Sequence, residues 1–381
     1  MVVNPLQSLH EQAEAAFLPY GPEVQIVESY GEVEAEYAAI RKAAALMDAP
    51  HRGVAILTGK DRLSFLHNKV TNDTNRLTPG QGCYAYLLNL KGRIVADMNI
   101  LQAEEAALIE MDARLINEFV GAAEKYIFTE DVRVLSGEQQ LARLTVLGPR
   151  AAQLLRRAMD AGVETLNEPF RHAKRLIGKT TVTVFRNDLA GEPQYELIVP
   201  RDQLVPLWQV LHEAGHTEEN GGGGEEIPHL RAIGWSAFNT ARIEAGTPWY
   251  GIDITDNYLP METAHWYGRA VCVTKGCYLG QEIVARMHAH NTVARLLVGL
   301  RVEGSKLPVA GTEIFEGAAG AASAGQIGII TSSTMSPMLG NAAVAMGYVK
   351  KAFAVAGREV AVLAEGSRER AIVTALPFWR K

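Results

Sequence analysis

The chain is expected to fold as an α+β protein that ends in a small antiparallel β domain. Three observations carry that expectation. Strand-like apolar runs arrive in pairs and triples between single helical segments, which is not the strict alternation of a doubly wound parallel sheet. Helical pattern disappears near residue 291. From there, short β-type runs alternate with Gly, Ser and Pro. The expected division is therefore 1–290 as an α+β module and 291–381 as a β-barrel or sandwich.

The elements follow in order. VAILTG, 54–59, reads as a short buried strand, and DRLSFLHNKV spaces Leu63, Leu66 and Val70 as on a helix. GCYAYLLNLKGRIVADMNIL holds two apolar runs around Lys91-Gly92, a hairpin signal. AALIEMD is a third strand, and ARLINEFVGAAEKYIF a helix of about four turns. VRVLSG and LARLTVLG are strands. PRAAQLLRRAMDAG opens at Pro149 and closes at Gly162, as helices do. KTTVTVFRN and YELIVP are strands, and RDQLVPLWQVLHEAG is a helix. TEENGGGGEEIP, 217–228, is a polar loop. A helix from His229 to Ala245 ends at Gly246. RLLVGLRV, GQIGIITS, AAVAMGYV, REVAVLAEG and RAIVTALP supply the terminal β domain.

The 381 residues are 48% hydrophobic and 21% charged, an ordinary globular composition. A net charge of −6 and a pI of 6.0 argue against nucleic-acid binding driven by overall charge. The N-terminus lacks the basic and apolar regions of a signal peptide, and no apolar run reaches the roughly 18 residues of a membrane span. Cys83, Cys272 and Cys277 fit neither a disulfide framework nor a zinc pattern. The expectation is a reduced cytoplasmic protein with no membrane partner.

Three candidate sites carry little. HEAGH, 212–216, matches a zinc-protease pattern, but Gly215 falls where a helix should stop, leaving His216 out of register. His288 and His290 would share one face of a strand without a third ligand. GAAGAASAG, 317–325, lacks the context of a phosphate loop. No metal site is expected. TKGCYLGQE, 274–282, is different. Cys277 between Lys275-Gly276 and a second glycine turn is equally well read as a thiolate or as a small apolar filler. Gly276 and Gly280 suggest backbone bends or a close approach.

Lys275, Gly276, Cys277, Tyr278, Gly280, Gln281 and Glu282 form KGCYLGQE, which resembles the signature of the YgfZ branch of the folate-binding glycine cleavage T-protein (GcvT, aminomethyltransferase) family. T-proteins carry an aspartate at the Cys277 position. The resemblance covers most of the chain. EYAAIRKAAALMDAPHRGVAILTGKDRLSFLHNKVTND resembles the family's opening, and KGRIVADMNI its G-G-x-x-D-D segment. RNDLAGEPQYEL resembles R-T-G-Y-x-G-E-x-G-x-E without the central glycine and tyrosine. ARIEAGTPWYGIDI resembles R-x-E-A-G-x-x-x-Y-G-x-D, and GQIGIITSSTMSPMLGNAAVAMGYV the C-terminal G-x-V-T-S-x-x-x-S-P segment. Only the Gly-rich stretch 220–224 looks particular to this chain.

The resemblance implies a GcvT-like three-domain ring. Two interleaved α+β (ferredoxin-like) subdomains join a C-terminal antiparallel β-barrel around a tetrahydrofolate channel. It further implies that Asp97, Glu196, Arg242 and Tyr250 line the site for tetrahydrofolate or a one-carbon derivative. The chemistry suits each: a carboxylate such as Glu196 accepts pterin N–H bonds, Arg242 forks onto a carboxylate tail, and Tyr250 offers a flat face. The structural alternative for Arg242 is a solvated pair with Glu244 at a helix end. Two departures matter. Ala96 stands where the family has the first of two aspartates, leaving Asp97, and Cys277 replaces the other motif's aspartate. The resemblance therefore implies folate-dependent support of iron–sulfur cluster assembly or repair, with Cys277 the working thiol and iron–sulfur proteins the partners. The alternative is a folate-dependent aminomethyl- or methyltransferase using Asp97. A binding module in which the cysteine only packs is the third.

Overall fold

The computed structural model describes residues 4–21, 24–216, 228–317 and 325–379. The loop expected at 217–228 lies outside them except for Pro228, as does the run 317–325 apart from its end glycines. By contacts the chain forms two units. The first is 1–67, 73–84 and 98–238; the second is 68–72, 85–97 and 239–381.

In chain order the first unit holds α1 (Gln7–Gln12), β1 (Ala16–Pro19), β2 (Gln25–Ser29), α2 (Val33–Lys42), β3 (Ala44–Asp48), β4 (Arg52–Thr58) and α3 (Arg62–His67). Next come β5 (Gln81–Leu88) and β6 (Ile94–Gln102), whose facing ends and connecting turn count with the second unit. The first unit continues with β7 (Ala106–Asp112), α4 (Ile116–Glu124), β8 (Arg133–Ser136), β9 (Leu141–Leu147), α5 (Ala151–Ala158), β10 (His172–Ile177), β11 (Thr180–Arg186), β12 (Gln194–Pro200), α6 (Leu204–His216) and β13 (Leu230–Ala232). Two sheets result, ordered β10-β11-β12-β9-β3-β13 and β5-β6-β7-β4-β8, besides the β1–β2 ribbon. In the six-stranded sheet only β13 runs parallel to its neighbour, β3. Leu46, Leu144, Val146 and Leu197 from its strands meet Leu154, Leu155, Leu207 and Leu211 from α5 and α6, all buried. Burying that apolar layer stabilises the first unit. The helix α5 shows why it lies there: Leu154 and Leu155 face the sheet while Arg156 and Arg157 close its last turn.

The second unit takes the end of α7 (Trp235–Glu244), then α8 (Tyr267–Ala270), α9 (Gln281–His290), and six strands: β14 (Arg295–Val302), β15 (Glu313–Glu316), β16 (Gln326–Ser336), β17 (Ala342–Lys350), β18 (Glu359–Ala364) and β19 (Ser367–Thr374). These close in the order β14-β17-β16-β15-β18-β19, all antiparallel. Closure removes the exposed edges. Val298, Leu300, Ile314, Ile330, Val360 and Val373 fill the interior. The fold is α+β with a closed C-terminal β-barrel, as expected; β15 was the barrel strand the sequence pattern did not mark. Among the described residues no helix is long and apolar enough to cross a membrane.

Several local expectations are corrected. The helix α6 runs through Gly215 to His216. A Cβ there would lie 2.3 Å from Leu230 Cβ, so this glycine serves close packing, not termination. His212 and His216 are thus one helical turn apart and stack at 4.3 Å. Among the described residues no group of three His, Cys, Asp or Glu is arranged to hold a metal. His288 and His290 sit on the helix α9, where two residues are about 200° apart, so they do not share a face. The helix expected from His229 begins only at Trp235. Leu230–Ala232 is instead drawn into the free edge of β3, and Gly234, whose Cβ would lie 2.3 Å from Glu28 O, lets the chain pass the backbone there. A 3₁₀ turn, Ala113–Leu115, takes the place of the first turn expected before α4, its N–H of Arg114 capped by the Asp112 carboxylate at 2.9 Å. The helix α5 stops at Ala158, because Met159 is extended and bridges to Ile177.

His51, between β3 and β4, packs against Tyr20 and Trp235 at 5.4 and 5.7 Å. Burial, then the neighbouring Arg52 charge, pushes its pKa down from 6.5 to about 3. Between these values the unfolded chain binds a proton that the native chain refuses, so stability is whole above pH 6.5 and drains as pH falls towards 3. Wild type should lose about 2–3 kcal/mol more than His51→Phe between pH 7 and 4.5. Urea unfolding at the two pH values checks this, and equal losses would contradict it.

Candidate functional site

Two polar clusters are built from the residues singled out in the sequence, one in each unit. In the second unit, the turn Asn89–Gly92 feeds β6, and Asp97 follows three residues after Ile94, only 7% exposed. The Tyr250 hydroxyl donates to Val95 O at 2.5 Å, pinning the backbone two residues before Asp97. Tyr250 itself sits at the mouth of a tight turn, where Gly251 has φ +83° and its N–H reaches Ile254 O. That arrangement makes Asp97 a buried carboxylate on a fixed strand, with the flat ring of Tyr250 anchored to the same segment.

Arg242 lies on α7 and is buried, 1% exposed. Its Nε donates to Asn239 Oδ1 at 2.9 Å, Nη1 to Thr247 O at 3.0 Å and Asp253 Oδ2 at 2.5 Å, and Nη2 to Ser332 Oγ at 2.9 Å. Asp253 completes the pair by accepting from Trp249 N at 3.0 Å, Thr331 Oγ1 at 2.5 Å and Ser332 Oγ at 2.7 Å. One arginine and one aspartate thus lock the loop 242–253 onto the barrel strand β16. Glu244 is no solvated partner of Arg242. It is buried and accepts from Ser336 Oγ at 2.5 Å.

In the first unit Glu196, on β12, is 1% exposed. Its Oε1 accepts from Gln194 Nε2 at 2.7 Å; its Oε2 accepts from Thr145 Oγ1 at 2.6 Å and from Arg143 Nη2. Arg143 also pairs with Glu110, which takes both Arg52 Nε (2.7 Å) and Nη2 (2.8 Å) and Asn99 Nδ2 (2.6 Å). The chain Arg52–Glu110–Arg143–Glu196 alternates in sign and joins the two sheets. Burial drives the Arg143 guanidinium below the usual arginine range, opposed by Glu196 and aided by the Arg52 charge. Each carboxylate in the chain faces a buried guanidinium, so losing one member leaves a buried group without its opposite charge. Two atoms of this cluster, Arg143 Nε and Asn99 Oδ1, are buried and make no hydrogen bond to another described residue. A cavity of about 440 Å³ is lined by Arg52 and Arg143 together with Asp48 and Arg201.

The Cys277 loop belongs to the second unit. Cys277 is exposed, whereas Lys275 is buried, donates from Nζ to Val70 O at 2.6 Å and lies 4.7 Å over the Tyr278 ring. Burial raises the Tyr278 hydroxyl above the ordinary tyrosine range, helped by Tyr267 and Cys272. Gly280, at φ +79°, starts α9, with Gln281 and Glu282 in its first turn. A Cβ on Gly280 would meet Asn89 O at 2.7 Å, and Ile283 packs on Gly92. The KGCYLGQE loop therefore rests on the turn that leads into the Asp97 strand.

Sequence reasoning missed Arg143, Glu110 and Arg52, which lie on separate strands without a local motif. Asp253 could have been found, since it closes the motif containing Arg242 and Tyr250.

The chain thus combines two sheets with a closed terminal barrel, to which a buried arginine–aspartate pair ties a motif loop. Residues 6–274 match the GCVT N-terminal domain, and residues 295–379 match the glycine cleavage T-protein C-terminal barrel domain. The chain belongs to that family. It is 29% identical to the aminomethyltransferase of Symbiobacterium thermophilum over 99% of this chain and 97% of the relative. It is 28% identical to that of Bacillus subtilis over 99% of each. The crystal structure of glycine cleavage system aminomethyltransferase T from Bartonella henselae superposes with a TM-score of 0.85 at 26% identity, covering 98% of this chain and 97% of that one.

Proposed function

We propose that this protein binds tetrahydrofolate or a one-carbon derivative and acts on the carried one-carbon unit, with aminomethyl transfer as the leading reaction. Full-length similarity to aminomethyltransferases supports this reading. The observation that carries it is Asp97, a buried carboxylate on a strand that Tyr250 fixes. The residues fit the group. Asp97 offers an acceptor for a pterin N–H or a seat for a proton beside the reacting nitrogens. Tetrahydrofolate supplies the nitrogen nucleophile that carries the one-carbon unit. In this reading Arg242 is a positioning residue that sets the loop presenting Tyr250, while Glu196 holds Arg143 within the first unit's own polar cluster.

A second reading rests on Cys277. Its side chain is exposed on a loop seated against the Asn89–Gly92 turn, and it stands where T-proteins carry an aspartate, while Ala96 leaves a single carboxylate. Here the folate-bound protein supports iron–sulfur cluster assembly or repair, the thiol acts as nucleophile or transient ligand, and iron–sulfur proteins are its partners. With three free cysteines, we place either activity in a reducing compartment, the cytoplasm. Deleting the gene and complementing with wild type or Cys277→Ala separates the two. Aminomethyl transfer predicts rescue of glycine cleavage by both versions. The thiol reading predicts restored iron–sulfur enzyme activities with wild type only, and full rescue by Cys277→Ala would remove it.

A further inference from the structure

We infer that an open basic cavity beside the Cys277 loop is a subsite for a chain of oxyanions, carboxylate or phosphate. The cavity, about 590 Å³, is lined by Lys91, Arg93 and Arg295, with Asp256 its one carboxylate. The arrangement of the two arginines is what points to a ligand. Arg93 Nη1 and Arg295 Nη2 both donate to the same backbone oxygen, that of Asn257. Two guanidinium charges converging on one neutral acceptor repel each other, and an anion set between them removes that repulsion. Glu262 answers only part of it, by accepting from Arg295 Nε at 3.1 Å.

The site is stiff where it needs to be. Arg295 lies 4.5 Å over the Tyr258 ring, which stacks on Tyr348 at 3.7 Å. Arg93 Nε and Nη2, Arg295 Nη1 and the Lys91 ammonium make no hydrogen bond to another described residue, so donors remain on both walls of the cavity. Planar forks of this kind take carboxylate and phosphate oxygens in pairs. Lys91 and Arg93 belong to the turn on which Gly280 and Ile283 rest, so a bound anion lies next to the loop that bears Cys277.

Two sources have this chemistry: the linked carboxylates of a polyglutamyl tail on the folate, or a free or organic phosphate. The first source rests on the folate reading above; the second does not. The test titrates mono- and pentaglutamyl tetrahydrofolate, and separately pyrophosphate, against wild type, Lys91→Gln and Lys91→Gln/Arg93→Gln, with thermal melting confirming that each variant folds. A tail subsite predicts that pentaglutamyl tetrahydrofolate binds wild type about tenfold tighter than the monoglutamyl form. That ratio should fall towards one in the double variant and partway in the exposed single variant. A phosphate subsite predicts salt-sensitive pyrophosphate binding that weakens in the same order, with no gain from the added glutamates. Absence of both effects in wild type, or their persistence in the variants, overturns the inference. Failure of the monoglutamyl form to bind rejects the folate reading instead, and the pyrophosphate titration still decides the cavity.

Discussion

Arg242→Ala is expected to destabilise the protein by about 3–5 kcal/mol, because it strands the Asp253 carboxylate in a buried site. Asp253 is fully buried and would keep Trp249 N, Thr331 and Ser332 as hydrogen-bond donors, but no cation. Hydrogen bonds alone do not repay the desolvation of a carboxylate. Arg242→Lys should recover little, since a single ammonium cannot reach Asn239, Thr247, Asp253 and Ser332 together. Arg242→Leu combined with Asp253→Leu, which removes both charges, should be milder than Arg242→Ala alone. Urea midpoints of the four proteins test this. If Arg242 instead served chiefly to grip ligand, Arg242→Ala would leave the midpoint unchanged and weaken only folate binding.

Asp97→Asn is the second large effect. It keeps the shape and a hydrogen-bonding group but removes the charge and the proton seat. Loss of a positioned acid–base group costs about 10²–10⁴-fold in rate. A fall of that size in tetrahydrofolate-dependent aminomethyl transfer, with the thermal midpoint little changed, is expected. A variant within a few-fold of wild type would take the carboxylate out of the chemistry.

The parts of the fold legible in the sequence are those where local pattern and tertiary burial agree. AALIEMD is a strand from Ala106 to Asp112 as read, and RLLVGLRV is Arg295–Val302. The misreadings fall where a distant partner decides. Leu230–Ala232 is a strand only because β3 has a free edge, and Gly215 reads as a stop until Leu230 is known to press on it. The site divides in the same way. Asp97, Tyr250 and Arg242 lie in contiguous motifs, but a motif does not say that Arg242 is buried against Asp253. The Arg52–Glu110–Arg143–Glu196 chain is drawn from four strands spread over 145 residues, and no spacing announces it.

The central claim, that this chain binds tetrahydrofolate through the segment bearing Asp97, is tested most directly by calorimetric titration. Tetrahydrofolate should bind wild type saturably, and Asp97→Ala should weaken it by about tenfold or more. Wild type that takes up no tetrahydrofolate, or Asp97→Ala that binds it with unchanged affinity, would contradict the claim.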